Sequence, residues 1–391
     1  AVVDETTLII HYPAPYYAYL ADFCWPDVMI IVSPTVFIEG DYMNFSGISG
    51  TGPYAFDHRE SGQYTRFVRN EDYWGDAPYY DEIIVKYIPE STSRIQALQN
   101  GEIDMIFGSA LLSYDEYVQV TAMDGMAGQI SESDTRVRDL VVNASRPLLT
   151  DLKVRQAIAY AIDKESLSEN LTYGYEKAAE LPFTEDSPYM DIVLEQTYSY
   201  DQEQSNLLLD EAGWVMNDST GIREKDGQSL SLVLTLDSAY GSFDHSVATV
   251  IKDQLSKVGI EVSINGMEKM DWMNGYMAGE FDLTLWPGNY AFANPNCWFN
   301  PMSSMTPQTP ALMGLSDSQE FLDAIAETTV TDDEERLTEL FTYLYNYDIG
   351  NVIDIPLNYY KDVIVYNSGK IAGYEFDSAP CFFDVARLTP Q

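Results

Sequence analysis

The sequence predicts an α/β protein with a partly parallel sheet, and three observations carry that prediction. Leu230, Leu232, Leu234 and Leu236 alternate with Ser, Val and Thr, as in a half-buried strand. The next stretch places Val247, Val250, Ile251, Leu255 and Val258 on one helical face and stops at Gly259. Ile260, Val262 and Ile264 then alternate again. Strand, helix, Gly and strand form a crossover that sets two strands in parallel.

Earlier in the chain, Gly50-Thr51-Gly52-Pro53-Tyr54-Ala55-Phe56 has the glycines of a phosphate loop without its context. No Lys-Ser or Lys-Thr pair follows, and Tyr64-Thr65-Arg66-Phe67-Val68-Arg69 alternates as a strand. The segment reads as a turn entering a hairpin, with its glycines at positive φ. Strands are expected over Tyr64–Val68 and Glu82–Tyr87, separated by a turn-rich stretch. Ser93 and Gln96 have capping-box spacing for a short helix through Leu98, stopped by Asn100-Gly101. Ile103–Phe107 reads as a buried strand.

From Asp151 to Ile162 the pattern is an amphipathic helix with Val154, Ala157, Ile158, Ala161 and Ile162 on one face, and Asp163 can cap the next. Lys225-Asp226-Gly227-Gln228 is a turn before the leucine strand. A further helix over Trp272–Ala278 leads into a strand over Phe281–Trp286. Asp332, Asp333, Glu334 and Glu335 stand at the positive end of a helix carrying Leu337, Leu340, Phe341 and Leu344, where acids complement its dipole.

Composition narrows the function. A chain of 391 residues with 46% hydrophobic residues and 29 tyrosines suits two or three folded domains. Its 62 acids against 21 bases give a net charge of −41, which repels nucleic acid and anionic lipid. The sequence contains no apolar run long enough to span a membrane. Cys24, Cys297 and Cys381 lie far apart without CxxC spacing, which argues against a zinc site or a dithiol centre. His11, His58 (in a polar turn) and His245 form no metal or nucleophile motif, and no catalytic constellation, metal site or cofactor is expected. Trp286-Pro287-Gly288-Asn289-Tyr290 is different: it ends a strand in a Gly/Pro loop, followed by Asn294-Pro295-Asn296. Ligands gather at such strand ends in α/β sheets, although Trp286 could equally complete a core strand.

The stretch from Gly50-Thr51-Gly52-Pro53-Tyr54 through Val68-Arg69-Asn70-Glu71-Asp72-Tyr73-Trp74-Gly75 to Gly101-Glu102-Ile103-Asp104 resembles the signature of family 5 extracellular solute-binding proteins. These are the peptide/nickel-binding components of ABC importers. Val154-Arg155-Gln156-Ala157-Ile158-Ala159-Tyr160-Ala161-Ile162-Asp163-Lys164 is similar to their second signature, and Glu211-Ala212-Gly213-Trp214 to a third. Arg223-Glu224-Lys225-Asp226-Gly227-Gln228 resembles a hairpin of the nickel-type branch.

The resemblance implies a two-lobed periplasmic-binding-protein-like α/β fold of class II, the large peptide/nickel type, with a hinge and an interlobe cleft. It places a first lobe at 1–140 with a return segment 360–391, and a second lobe at 141–359, with a sizeable N-terminal part missing. Trp286 and Tyr290 match a Trp and a Tyr that line the cleft, and Asn143, Arg138, Met29 and Asn294 join them as expected ligand contacts. Met29 stands where the nickel branch carries an Arg, and Asn294-Pro295-Asn296 stands near an Asp of the peptide branch. Arg138 is then either a substitute anchor for a carboxylate or a surface base.

The function implied is a non-enzymatic, extracytoplasmic protein, periplasmic or a cell-surface lipoprotein. It would deliver a peptide or a metal chelate, as a monomer, to an ABC permease. A secreted acidic hydrolase and a ligand sensor on the same fold are the alternatives.

Overall fold

The structure is a computed structural model that describes residues 3–4, 6–17, 19, 23, 33–38, 41–45, 47–108, 111–134, 136–184, 187–238, 241–287, 294–376 and 383–391. The chain divides into two compact units. The larger comprises Ala1–Asp22 and Asp134–Lys361, the smaller Phe23–Ser133 and Asp362–Gln391.

In the smaller unit, strands Tyr54–Glu60, Tyr64–Arg69 and Glu82–Lys86 form an antiparallel sheet. Residues 50–53 bend into it, and residues 54–56 already belong to its first strand. Neither Gly50 nor Gly52 takes the left-handed conformation, contrary to the expectation from sequence. The residue before a proline is biased to extended backbone, and the chain bends at Gly52 and Pro53 into the strand without a left-handed glycine. The carbonyls of the turn serve as acceptors instead. Asn70 Nδ2 donates to the Gly52 carbonyl at 3.0 Å and the Trp74 indole donates to that of Thr51 at 3.1 Å. His58 lies within the first strand rather than in a turn, between Asp57 and the Tyr64 hydroxyl.

The helix Ser91–Gln99 begins two residues before Ser93, with Glu90 at its start and no side-chain cap. The capping box belongs to the next helix, Tyr114–Thr121, where Ser113 and Glu116 exchange hydrogen bonds. The strand expected from Ile103 is shorter, Met105–Phe107, and Gly101 before it does take a positive φ of 72°. The returning strand Val363–Asn367 pairs antiparallel with both Met105–Phe107 and Met126–Ile130, so it is the middle strand of that sheet. Ile364, Tyr366, Ile371, Tyr374 and Leu388 form the adjoining core.

The larger unit is built on a six-stranded mixed sheet. In chain order its strands are β1 (Val137–Val142), β2 (Lys177–Ala178), β3 (Ser231–Asp237), β4 (Glu261–Met267), β5 (Leu283–Trp286) and β6 (Asp354–Tyr359). Their spatial order is β4-β3-β5-β1-β6-β2, with β3 parallel to both β4 and β5 and the remaining pairs antiparallel. Helices α1 (Leu152–Ala161), α2 (Lys164–Thr172), α3 (Gln202–Glu211), α4 (Gly241–Ser256) and α5 (Lys269–Met277) surround it. A helical layer follows: α6 (Asn296–Met302), α7 (Gln308–Met313), α8 (Ser318–Val330) and α9 (Glu334–Asn351).

The crossover expected from the leucine pattern is β3-α4-β4, and Leu232, Leu234, Leu236, Val247, Ile251, Leu255 and Val262 are buried in one cluster. Val154, Ala157, Ile158, Ala161 and Ile162 join the same core, and Asp151 and Asp163 cap α1 and α2. Asp333 caps α9 by accepting from the amides of Glu335 and Arg336, so the acid run there serves the helix start. The β5 strand starts two residues later than expected, at Leu283.

Candidate ligand site

The carboxyl ends of β3 and β5 fall at the same edge of the sheet as the start of β1 and the end of β6, because β1 runs antiparallel to β5 and β6. Strand carboxyl ends are where ligands collect in such sheets. Arg138 and Trp286 both lie at this edge. In register Trp286 faces Asp139, so its side chain shares a face with Asp139, while Arg138 one residue away points to the other. The two residues share an edge and open on opposite faces.

Arg138 is not a surface base: it is 3% exposed. Its Nε donates to Asp244 Oδ1 at 3.1 Å, and its Nη1 donates to Asn358 Oδ1 at 2.9 Å and to Glu176 Oε2 at 3.3 Å. The Asn358 amide donates to Glu176 in turn. The guanidinium carbon lies 4.7 Å from the Phe243 ring centroid and 3.9 Å from that of Tyr360. Burial alone would lower the Arg138 pKa. Tyr360, Asp244 and Glu176 more than offset that, holding the group charged and above its ordinary value. Burial raises the Asp244 carboxyl, and Arg138 pulls it part of the way back. Asp244 also sits in the first turn of α4, where the helix dipole favours an anion. Arg138 thus meets two carboxylates contributed by its own unit.

Trp286 ends β5 half-buried. Its ring stacks on Trp272 with centroids 5.6 Å apart and meets Tyr276 edge-on at 5.5 Å. Trp272 is fixed in turn by donating its indole N–H to Thr284 Oγ1 at 2.9 Å. A half-buried indole backed by two aromatics can offer its remaining surface to a flat apolar or cationic group.

Asn143 lies at the other end of β1, five residues and about 17 Å along the strand from Arg138. It is fully buried and its Nδ2 donates to the carbonyls of Gly279 at 3.2 Å and Phe281 at 3.0 Å. Its Oδ1 accepts from Ser145 N at 3.1 Å and Oγ at 2.6 Å. All its polar capacity goes into joining turns. Asn294 is half-buried and its Oδ1 accepts from the Asn296 amide at 2.9 Å, at the entry to α6. Tyr290 and Met29 lie outside the described residues, as do Cys24 and Cys381, while Cys297 is buried.

Glu176, Asp244, Asn358 and Tyr360 went unnoticed in the sequence. A buried strand arginine demands acidic partners, but nothing marks which of 62 acids supply them. Among the described residues no group of three or more His, Cys, Asp or Glu is placed to hold a metal. No described helix is long and apolar enough to cross a membrane.

Residues 1–310 match the family profile described as bacterial extracellular solute-binding proteins, family 5 Middle. The chain is 28% identical over 371 residues to the nickel-binding periplasmic protein of Escherichia coli, covering 93% of this chain and 69% of that one. It is 27% identical over 277 residues to the oligopeptide-binding protein AppA of Bacillus subtilis, covering 66% of this chain and 48% of that one. Among solved structures it is similar to NikA from Brucella suis in complex with Fe(III)-EDTA. That match has a TM-score of 0.86 at 28% identity and covers 97% of this chain and 76% of that one. The likeness carries the two-lobed α/β fold of these binding proteins. The chain belongs to the bacterial extracellular solute-binding proteins of family 5, and is an extracytoplasmic solute-binding protein and not an enzyme.

Proposed function

We propose that the chain delivers a small neutral or zwitterionic solute, such as a short peptide, to an ABC permease, and that it disfavours anionic metal chelates. Relatives with 28% and 27% identity are named for nickel and for oligopeptides, so either ligand class is open by kinship. One observation favours the first. The positive charge of Arg138 is already answered by Glu176 and Asp244 within its own unit. A multiply charged anion would then lack a free countercharge there, and burying an unmatched charge costs several kcal/mol. The net charge of −41 also slows the approach of anions.

In this reading the two units are the two lobes, the chain acts as a monomer, and Trp286 and Tyr290 form a stacking surface for the solute. Asn294 and Met29 are further candidate contacts by the family resemblance, and Asn143 serves the scaffold. Neither a hydrolase nor a sensor is favoured by the family.

Titration calorimetry on the full-length protein tests the proposal with a panel of short peptides and Fe(III)-EDTA. Peptides should bind and the chelate should give no heat. Trp286→Ala should weaken peptide binding by about 2 kcal/mol, the cost typical of an aromatic anchor. Tight binding of Fe(III)-EDTA with the peptides silent would overturn the reading.

A further inference from the structure

The helical layer of the larger unit meets the sheet through three buried acids. Asp139 on β1, Asp348 on α9 and Asp354 on β6 are 0%, 0% and 2% exposed. Asp354 pairs with Val141, two residues from Asp139, so both acids point to one face of the sheet. On that face the carboxyl of Asp348 stands within hydrogen-bonding reach of Asp354.

Donors are scarce around this group. Gln308 Nε2, on α7, donates to Asp354 Oδ1 at 2.8 Å, and the Trp298 indole, on α6, is turned toward Asp348. Both side chains are at most 2% exposed, and neither Gln308 Oε1 nor the Trp298 N–H has a partner at full hydrogen-bond geometry among the described residues. The same holds for both oxygens of Asp139, both of Asp348 and Oδ2 of Asp354. Of the two cations that act on Asp139, Lys164 donates to the Ala179 carbonyl at 2.9 Å, and Arg138 is matched by Glu176 and Asp244. Tyr345 and Tyr359 also face the acids, as neutral phenols whose pKa values are raised first by burial. Three ionised carboxylates cannot be held here against a single lysine without a heavy desolvation penalty.

We propose that Asp348 and Asp354 hold one proton between them, and that this shared proton latches helix α9 to the central sheet. The acid form of Asp348 supplies the donor that the cluster lacks, and Asp354 accepts it. Loss of the proton leaves two facing carboxylates and loosens the latch. Burial, then the charge of Asp354, pushes Asp348 well up, and burial pushes Asp354 up to about 7. A carboxyl raised in the folded state contributes no penalty below its ordinary value. Its burden grows as pH rises through the folded value, so the latch weakens from mildly acidic toward alkaline pH.

The test is thermal unfolding of the full chain and of Asp348→Asn, whose amide keeps the shape and the donor but cannot ionise. The wild-type midpoint should fall by roughly 3–6 °C between about pH 5 and about pH 8, and the variant should lose most of that slope. Infrared spectroscopy gives a second readout, because a protonated carboxyl has a C=O stretch that carboxylates lack. The band should be present in wild type near neutral pH and smaller in Asp348→Asn, or in Asp354→Asn should the first variant not fold. Absence of the band from wild type, or a variant as pH-sensitive as wild type, overturns the proposal. Neither outcome bears on solute binding.

Discussion

Replacing Arg138 by Met removes the cation from a buried three-way contact and leaves its apolar volume nearly intact. The side chains of Arg138, Glu176 and Asp244 are 4%, 2% and 11% exposed, so water cannot take over the lost interactions. The variant strands two buried carboxylates, and breaking a buried pair in this way costs about 3–5 kcal/mol. For a unit of this size that corresponds to a drop in Tm of roughly 6–15 °C. The loss should depend on pH in a defined direction. Asp244 already has a raised folded pKa, and removing Arg138 raises it further. A raised folded value means stability is lost as pH climbs through it, so the deficit should be smallest in mild acid and grow toward neutral pH. Differential scanning calorimetry across that range measures it. The triple variant Arg138→Met, Glu176→Gln, Asp244→Asn removes the stranded charges and should recover much of the loss. An unchanged Tm in Arg138→Met, or a triple variant no better than the single one, would refute the electrostatic account of the network. Solute binding by a refolded triple variant would also show that Arg138 is not an anchor.

Two further outcomes follow from packing and charge. Gly314 ends α7 against the backbone of Ala144 and Ser145, so Gly314→Ala forces a collision and should lower stability by about 1–3 kcal/mol. Gly350 in α9 has open space where a Cβ would stand, and Gly350→Ala should raise stability by about 0.5–1 kcal/mol; urea denaturation reads both. With a net charge of −41, the Tm should rise as sodium chloride screens self-repulsion, and a flat profile would show that the charge is spread too far apart to matter.

What could be read from the sequence was local. The β3-α4-β4 crossover, the cap at Asp163 and the buried face of α1 depend on spacings within one or two turns. The capping box was placed on Ser93 because the motif is only four residues long and recurs by chance, and the true one at Ser113 lies in the next helix. The Arg138 network was hidden for the opposite reason. Its partners Glu176, Asp244 and Asn358 lie 38, 106 and 220 residues away and meet only when the sheet is assembled. Trp286 shows the intermediate case. Its position at a strand end was legible, but the Trp272 and Tyr276 rings that back it follow from how α5 lies against β5.

The middle strand of the smaller unit's sheet, Val363–Asn367, has a consequence for the order in which the chain can fold. All six strands of the larger unit's sheet lie between residues 137 and 359, so that sheet can pair fully before the last stretch of chain emerges. The smaller unit has its flanking strands, Met105–Phe107 and Met126–Ile130, made early and left without a partner until residue 367 arrives. During synthesis or export, of these two sheets the one begun first is therefore completed last. Until then it carries two open strand edges, the kind of surface on which chaperones act and aggregation begins.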